Sequence, residues 1–383
     1  MLTSAGVPVA SDAEHSAPDP ARPTLLCFSH LRWDFVFQRP QHLMSRFARE
    51  MTVVFWEEPI EIERRATAYL KVRQAEDFPN VRIATPHLPQ GLDEAKREDA
   101  LRRLLDAHAA SCSQPIVAWY YTPMMLPFSR HLAASVVVYD CMDELSKFRF
   151  APEQLLDLEK ELIGRADLVF TGGASLYEAK KDRHPSVHCF PSSVDREHFA
   201  KARQELPQPA DQAELKHPRL GFYGVIDERF DIDLLRQAAD MRPDWSFIMV
   251  GPVVKIGEDE LPRAANIHYL GGKTYEQLPT YLSGWEVALM PFAMNESTQF
   301  ISPTKTPEYL AGGKPVVSTP VRDVVRTYGH LQGVHIASDA DGFVRCCDKA
   351  LEQSRNGGDW LAEADLLLSA TSWDPTQAHA LAA

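Results

Sequence analysis

Short apolar runs rich in β-branched and aromatic residues alternate along this chain with longer amphipathic ones. TLLCFS (24–29), TVVFW (52–56), VRIAT (81–85), IVAWYY (116–121), SVVVYD (135–140), DLVFTG (167–172) and VHCFPS (187–192) have the near-continuous hydrophobicity of strands buried on both faces. QHLMSRFARE, GLDEAKREDALRRLLDAHA and PEQLLDLEKELIGRA between them carry the helical period. A polar, proline-bearing stretch follows at 201–219, and then the alternation restarts. RLGFYG, SFIMVG, NIHYLG, EVALMPF, KPVVST and GVHIAS predict six more strands, with DIDLLRQAADM, YEQLPTYLSG and a segment from Ser302 as helices. The pattern predicts an α/β protein of two tandem Rossmann-like, doubly wound domains facing a cleft. The expected divisions are a disordered leader (1–23), a first domain (24–200), a linker (201–218), a second domain (219–358) and closing helices (359–383). Ligands of such sheets bind beyond the carboxyl ends of the strands, so two such edges are expected to share one cleft.

Composition narrows the class. A chain of 383 residues exceeds what one core usually serves, and 45% hydrophobic with 24% charged residues is ordinary for a globular protein. Forty basic against fifty-three acidic side chains leave a net −13. No global basic surplus exists for gripping nucleic acid, which is not expected as a partner. The six cysteines are scattered without a CxxC pair, so structural zinc is not expected and a reducing compartment is. The first residues lack the charge and apolar core of a signal peptide, and no run of eighteen apolar residues occurs, which points to a cytoplasmic protein. Arg46, Arg49, Arg64, Arg65, Lys71 and Arg73 lie beside apolar residues in QHLMSRFARE and ERRATAYLKVR. Such a face is either solvated or a peripheral contact with anionic lipid at the inner face of the plasma membrane.

NESTQFISPTKTPEYLAGGKPVVSTP (295–320) is the most informative segment. Ser302 reads as an N-cap, Pro303 as first-turn, and Gly312–Gly313 as the stop of a helix of about eleven residues. Its N-terminus is suited to a phosphate, with Lys305 in the first turn and Glu308 one turn on. The plainer reading is a capped core helix with a solvated Lys and Glu. In the first domain, Asp140 and Asp143 follow the strand VVVYD, where a carboxylate facing the cleft could accept a proton from an incoming hydroxyl. Asp140 is the first choice, with Asp143 and His30 behind it; Asp143 could equally cap a helix near Met142.

SPTKTPEYLAGGKPVVST resembles the nucleotide-sugar-binding segment of GT-B glycosyltransferases, especially the retaining group with sucrose- and mannosyltransferase-like enzymes. LGFYGVIDERFDIDLL, DWSFIMVGP and NIHYLGGKTYEQLPTYLSGWEVALMPF match that family in the same order, so the resemblance spans about residues 219–318. It implies a hexosyltransferase taking a sugar from a nucleotide diphosphate, UDP before GDP. The acceptor it implies is a hydroxyl of a glycan or lipid-linked intermediate in surface-polysaccharide synthesis, and no metal is needed for the chemistry. By the same resemblance Glu308 contacts the ribose, and Ser302 and Thr304 lie at the diphosphate, since Pro303 has no N–H to donate. Gly224, Gly251 and Gly271, which end strands, and Lys273 in the base-contacting loop complete the donor set.

Three departures matter. Phe300 stands where the family's sugar-contacting glutamate would fall, and Val225 and Phe230 replace its first-turn Arg and Lys. Arg229 and Lys305 together are expected to supply the missing positive charge; otherwise Arg229 pairs with Asp227, Glu228 or Asp231. These departures keep open a catalytically inactive sugar-nucleotide-binding regulator, alongside an epimerase of the same fold. No strand is followed by G-x-G-x-x-G, which excludes a dehydrogenase. SHLRWDFVFQRPQHLMSRFARE resembles a bacterial surface-polysaccharide subgroup and places Trp33, Arg39 and His42 at the acceptor side of the cleft. The alternatives are that Arg39 pairs with Asp34 or Glu50 and that His42 packs under the loop.

Overall fold

The computed structural model describes residues 9–11 and 22–382. Most of the expected leader lies outside the described residues; Val9–Ser11 forms strand β1. The first sheet has ten strands: β1, β2 (Thr24–Phe28), β3 (Thr52–Trp56), β4 (Ile60–Ile62), β5 (Tyr69–Ala75), β6 (Phe78–Pro89), β7 (Ile116–Tyr120), β8 (Val136–Cys141), β9 (Leu168–Thr171) and β10 (Val187–Cys189). Their order is β1-β5-β6-β3-β2-β7-β8-β9-β10, with β4 alongside β6, and all pairs are parallel except β5 with β6. The second sheet is wholly parallel. β11 (Arg219–Tyr223), β12 (Ser246–Val250), β13 (Ile267–Gly271), β14 (Val287–Met290), β15 (Val316–Ser318) and β16 (Val334–Ile336) run in the order β13-β12-β11-β14-β15-β16. In each domain the strand order reverses between the first and fourth strands of the parallel core, β2 and β7 in one and β11 and β14 in the other. Residues beyond these four strand ends are the ones that topology opens to a ligand.

Three segments differ from the sequence reading. Residues 69–73 of the basic stretch are strand, because Leu70 and Val72 alternate inward with Lys71 and Arg73 on the other face.

 Val72 is 4% exposed and Leu70 is fully buried, so the apolar positions of this stretch belong to the core while Lys71 and Arg73 stay partly exposed. The 201–218 connection is also packed: Ala210–Ala213 is helical, and the buried Gln212 donates to the Tyr281 carbonyl (3.0 Å) and accepts from Trp285 Nε1 (2.8 Å). The closing helix Trp373–Ala382 returns to the first domain, where buried Trp373 stacks on His42 at 4.5 Å. Asp374 there pairs with Arg46 (3.3 Å) and Arg49 (2.5 Å). Among the described residues, no helix is long and apolar enough to cross a membrane.

The domains meet closely on the cleft side. Asp323 of the second domain accepts from Ser175 N (3.2 Å) and Ser175 Oγ (2.5 Å), capping the helix Ala174–Lys180 of the first. A Cβ on Gly173 would lie 2.5 Å from both Ser302 Cβ and an Asp323 carboxylate oxygen, so only glycine permits this approach. Glu178 adds exposed pairs with Arg322 (2.9 Å) and Arg326 (2.7 Å).

The floor of the first domain's cleft is an ion pair. Pro40 and the extended Gln38 start the helix Arg39–Phe47, and Arg39 turns back under it toward β8. Its Nε lies 3.1 and 3.2 Å from the two Asp140 oxygens, Nη2 lies 2.9 Å from one of them, and Nη1 donates to the Phe190 carbonyl at 2.7 Å. Both residues are almost completely buried. Burial alone would lower the Arg39 pKa, but the attraction of Asp140 prevails and raises it. Asp140→Ala strands a buried guanidinium and should cost about 3–5 kcal/mol of stability, read by urea denaturation. The paired change Arg39→Met with Asp140→Leu should cost much less, and equal losses in the two would contradict this role.

Candidate active site

A cavity of about 100 Å³ lies where the two sheets face each other, lined from the first domain by Arg39, Met142 and Asp143. The second domain contributes Gly224, Val225, Arg229 and the stretch Ser302, Pro303, Thr304 and Lys305. Gly224 follows β11 with φ +149°, and a Cβ on Gly251, which follows β12 with φ +148°, would fall 1.8 Å from the Gly224 carbonyl oxygen. Two glycines in these conformations let the strand ends come together beneath the cavity.

The donor-side helix is shorter than expected. It covers Lys305–Ala311, seven residues, with Thr304 rather than Ser302 at its N-cap and no side-chain capping bond. Ser302 instead packs against Gly173 of the first domain. Lys305 Nζ bonds only to the neighbouring Thr304 hydroxyl at 3.1 Å and, among the described residues, enters no ion pair. Arg229 is half committed: Nε and Nη2 hold Asp227 at 2.7–3.1 Å, while Nη1 makes no hydrogen bond among the described residues. Arg229 thus makes the Asp227 pairing while lining the cavity. Its guanidinium also lies 5.2 Å from the ring centre of Phe148, from the opposite domain.

Glu308 is 7% exposed beneath Lys305. Burial raises its pKa against the pull of Lys305, with the Tyr223 and Thr304 hydroxyls beside it. Tyr223 and Tyr275 each have a buried hydroxyl without a hydrogen-bond partner among the described residues. Neither tyrosine was singled out by the sequence, because a tyrosine in a strand or loop carries no motif.

The carboxylate that faces the cavity is Asp143. Burial pushes its pKa up to about 6, opposed by Arg229 and helped by Asp227. Asp140, the first choice from sequence, is corrected: both its oxygens are taken by Arg39 and the residue has no exposed surface, so it cannot meet a substrate. The same bond answers the Arg39 question, since Asp34 pairs with Arg73 instead. The short 3-10 helix near Met142 covers Leu145–Lys147 with Glu144 at its N-cap, so Asp143 does not cap it. His30 is half-buried at the end of β2 with Nδ1 unpartnered among the described residues, and burial, then Lys255, lowers its pKa to about 4. It is neutral at pH 7. Trp33, His42 and Lys273 lie away from this cavity, along a second and larger groove. His42 is packed between Trp373 and Phe37, and Lys273 pairs with Asp211 at 2.8 Å. Gly271 sits on the exposed end of β13.

Phe300, Val225 and Phe230 have separate explanations. Phe300 packs against the core of the first domain, Phe230 is buried beside Phe222 at 5.2 Å, and Val225 lines the cavity.

Comparison with known proteins bears on the family and the fold. Residues 217–353 match the family described as Glycosyl transferases group 1. A Bacillus subtilis (strain 168) protein assigned to teichuronic acid biosynthesis as the glycosyltransferase TuaH is 27% identical over 259 residues. That match covers 62% of this chain and 64% of TuaH. Sucrose-phosphate synthase from Thermosynechococcus elongatus superimposes with a TM-score of 0.68 at 16% identity, over 94% of this chain and 97% of that one. An E. coli trehalose-6-phosphate protein solved with UDP-2-fluoro glucose gives 0.66 at 13% identity over 94% and 98%. Anabaena HepE, solved with UDP, gives 0.64 at 12% identity over 94% and 98%. Residues 217–353 are a group 1 glycosyltransferase domain, carried by a chain with the two-domain GT-B fold.

Proposed function

We propose that this protein transfers a hexosyl group from a UDP-sugar to an acceptor hydroxyl in the synthesis of a surface polysaccharide. The observation that carries the reading is the convergence of Lys305, a cation without an ion pair among the described residues, and Asp143 on one cavity between the two sheets. The nucleotide follows from the fold shared with proteins solved with UDP and UDP-2-fluoro glucose, and the polysaccharide context from the likeness to TuaH. The diphosphate would lie against Lys305 and the free edge of Arg229, and the ribose against Glu308. First-turn N–H groups, which have no partner inside their own helix, would add donors beside Thr304.

In the proposed reaction the acceptor oxygen bonds to the anomeric carbon as the bond from that carbon to the phosphate oxygen breaks. UDP leaves with the negative charge, which Lys305 and Arg229 stabilise in place. The acceptor's hydroxyl proton passes to Asp143, which is largely ionised at neutral pH and basic enough to accept it. We propose this chemistry with side-chain cations, rather than a bound metal, balancing the charge of the leaving diphosphate.

Lys305→Ala should weaken UDP binding about tenfold to a hundredfold and uridine binding far less, as loss of a charge-assisted contact implies. Calorimetry with both compounds checks it, and equal weakening would remove Lys305 from the phosphates. Glu308→Ala should weaken UDP and uridine alike, whereas unchanged affinities in a folded variant would remove it from the ribose.

Asp143→Asn should lower turnover by about a hundredfold to ten-thousandfold with UDP affinity retained. In the parent protein the rate should fall as pH drops through about 6, because protonation removes the base. The acid limb should disappear in Asp143→Asn; a variant that keeps both its rate and the limb would rule the residue out as base.

A further inference from the structure

The transfer step uses the small cavity, while Trp33, His42 and Lys273 line a larger groove whose occupant beyond the nucleoside base is unassigned. That groove holds about 1050 Å³ and runs between the 33–37 loop and the 76–80 turn of the first domain and the 272–278 loop of the second. Sites that enclose a small ligand measure about 300–1,000 Å³, so a nucleoside base beside Pro252 and Thr274 would leave most of the groove unfilled.

Its walls are aromatic. Phe37 lies 6.3 Å from Phe78 and 4.9 Å from Tyr275 across the domain boundary, between ring centroids. Phe35 stands on the rim, 48% exposed, and makes no ring contact among the described residues. The charges are just as uneven. The wall's cations are already paired, Lys273 with Asp211 and Arg46 and Arg49 with Asp374. Glu76, Asp77 and Glu276 are exposed and form no ion pair among the described residues.

Aromatic faces with carboxylates around them suit a ligand that has apolar C–H faces and many hydroxyl donors. We propose that this groove binds an uncharged saccharide segment of the acceptor, built of hexose or N-acetylhexosamine units, set back from the hydroxyl that reacts. The segment's purpose rests on the transferase reading, but its binding does not. An ionised uronate in the groove would face the three carboxylates with no unpaired cation to offset them, and an alkyl chain would leave them without hydrogen-bond donors. A cationic peptide is the rival that charge alone would admit.

Saturation-transfer NMR on the full chain tests this with four probes: an uncharged glucan hexasaccharide, an uncharged N-acetylhexosamine hexasaccharide, an alternating uronate–hexosamine hexasaccharide and hexalysine. At least one uncharged hexasaccharide should bind, with an affinity unchanged by saturating UDP. Phe35→Ala, at an exposed position, should weaken it about threefold to tenfold while leaving UDP affinity alone. The double change Glu76→Lys with Asp77→Lys should let the uronate probe bind. Failure of both uncharged probes, displacement by UDP, indifference to Phe35→Ala, or preference for the uronate or hexalysine would each overturn the proposal. Saccharide binding in a protein that neither binds UDP nor transfers sugar would sink the transferase reading and leave the groove standing.

Discussion

The cleft face of the first domain depends on one buried ion pair. Arg39 and Asp140 lie 101 positions apart in sequence and meet with almost no exposed surface. A buried charge of either sign is expensive unless its partner and its remaining hydrogen bonds are in place. Arg39 meets that condition with a forked contact to Asp140 and a third bond to the Phe190 carbonyl. The pair thus ties the start of one helix, the end of β8 and the segment after β10 to a single point. The turn after β8 then carries Asp143 into the cavity, so one carboxylate holds the backbone that positions the other.

The second domain is held to this floor by close packing at the donor loop. Gly173 admits Ser302 and Asp323 at a distance that a methyl group would forbid, and Asp323 caps the helix that follows Gly173. Phe300 inserts its ring against the first domain's core two residues before Ser302. The stretch that leads into Thr304, Lys305 and Glu308 is therefore anchored by the domain opposite its own. A shift between the domains would move the proposed donor contacts relative to Asp143, which ties domain position directly to transfer. Phe148, lying against Arg229 and Lys255 at 5.2 and 4.8 Å, extends the same contact along the far lip.

The tandem architecture was legible because buried parallel strands read as continuous apolar runs, and these recur twice along the chain. The helix of the proposed donor segment was legible because Lys305, Glu308, Gly312 and Pro315 are local neighbours whose spacing is set by one helix and its exit. Choosing between Asp140 and Asp143 needed a contact with Arg39 that no local pattern records. β5 was read as a basic face because alternation of Leu70 and Val72 with Lys71 and Arg73 is too short to exclude other periods. The start of the donor helix moved from Ser302 to Lys305 because a tertiary contact with Gly173 outweighed Ser302's preference for an N-cap. The closing helix was expected, but not its return to Arg46, Arg49 and His42, which depends on where the second domain ends in space.

The most direct test of a donor site shared between the domains is a crystal structure of the protein with UDP. The account predicts phosphate oxygens at Lys305 Nζ and the free edge of Arg229, ribose hydroxyls at Glu308, and Asp143 facing the β-phosphate across the cavity. UDP bound with its phosphates away from Lys305, or with Asp143 turned out of the cavity, would contradict it.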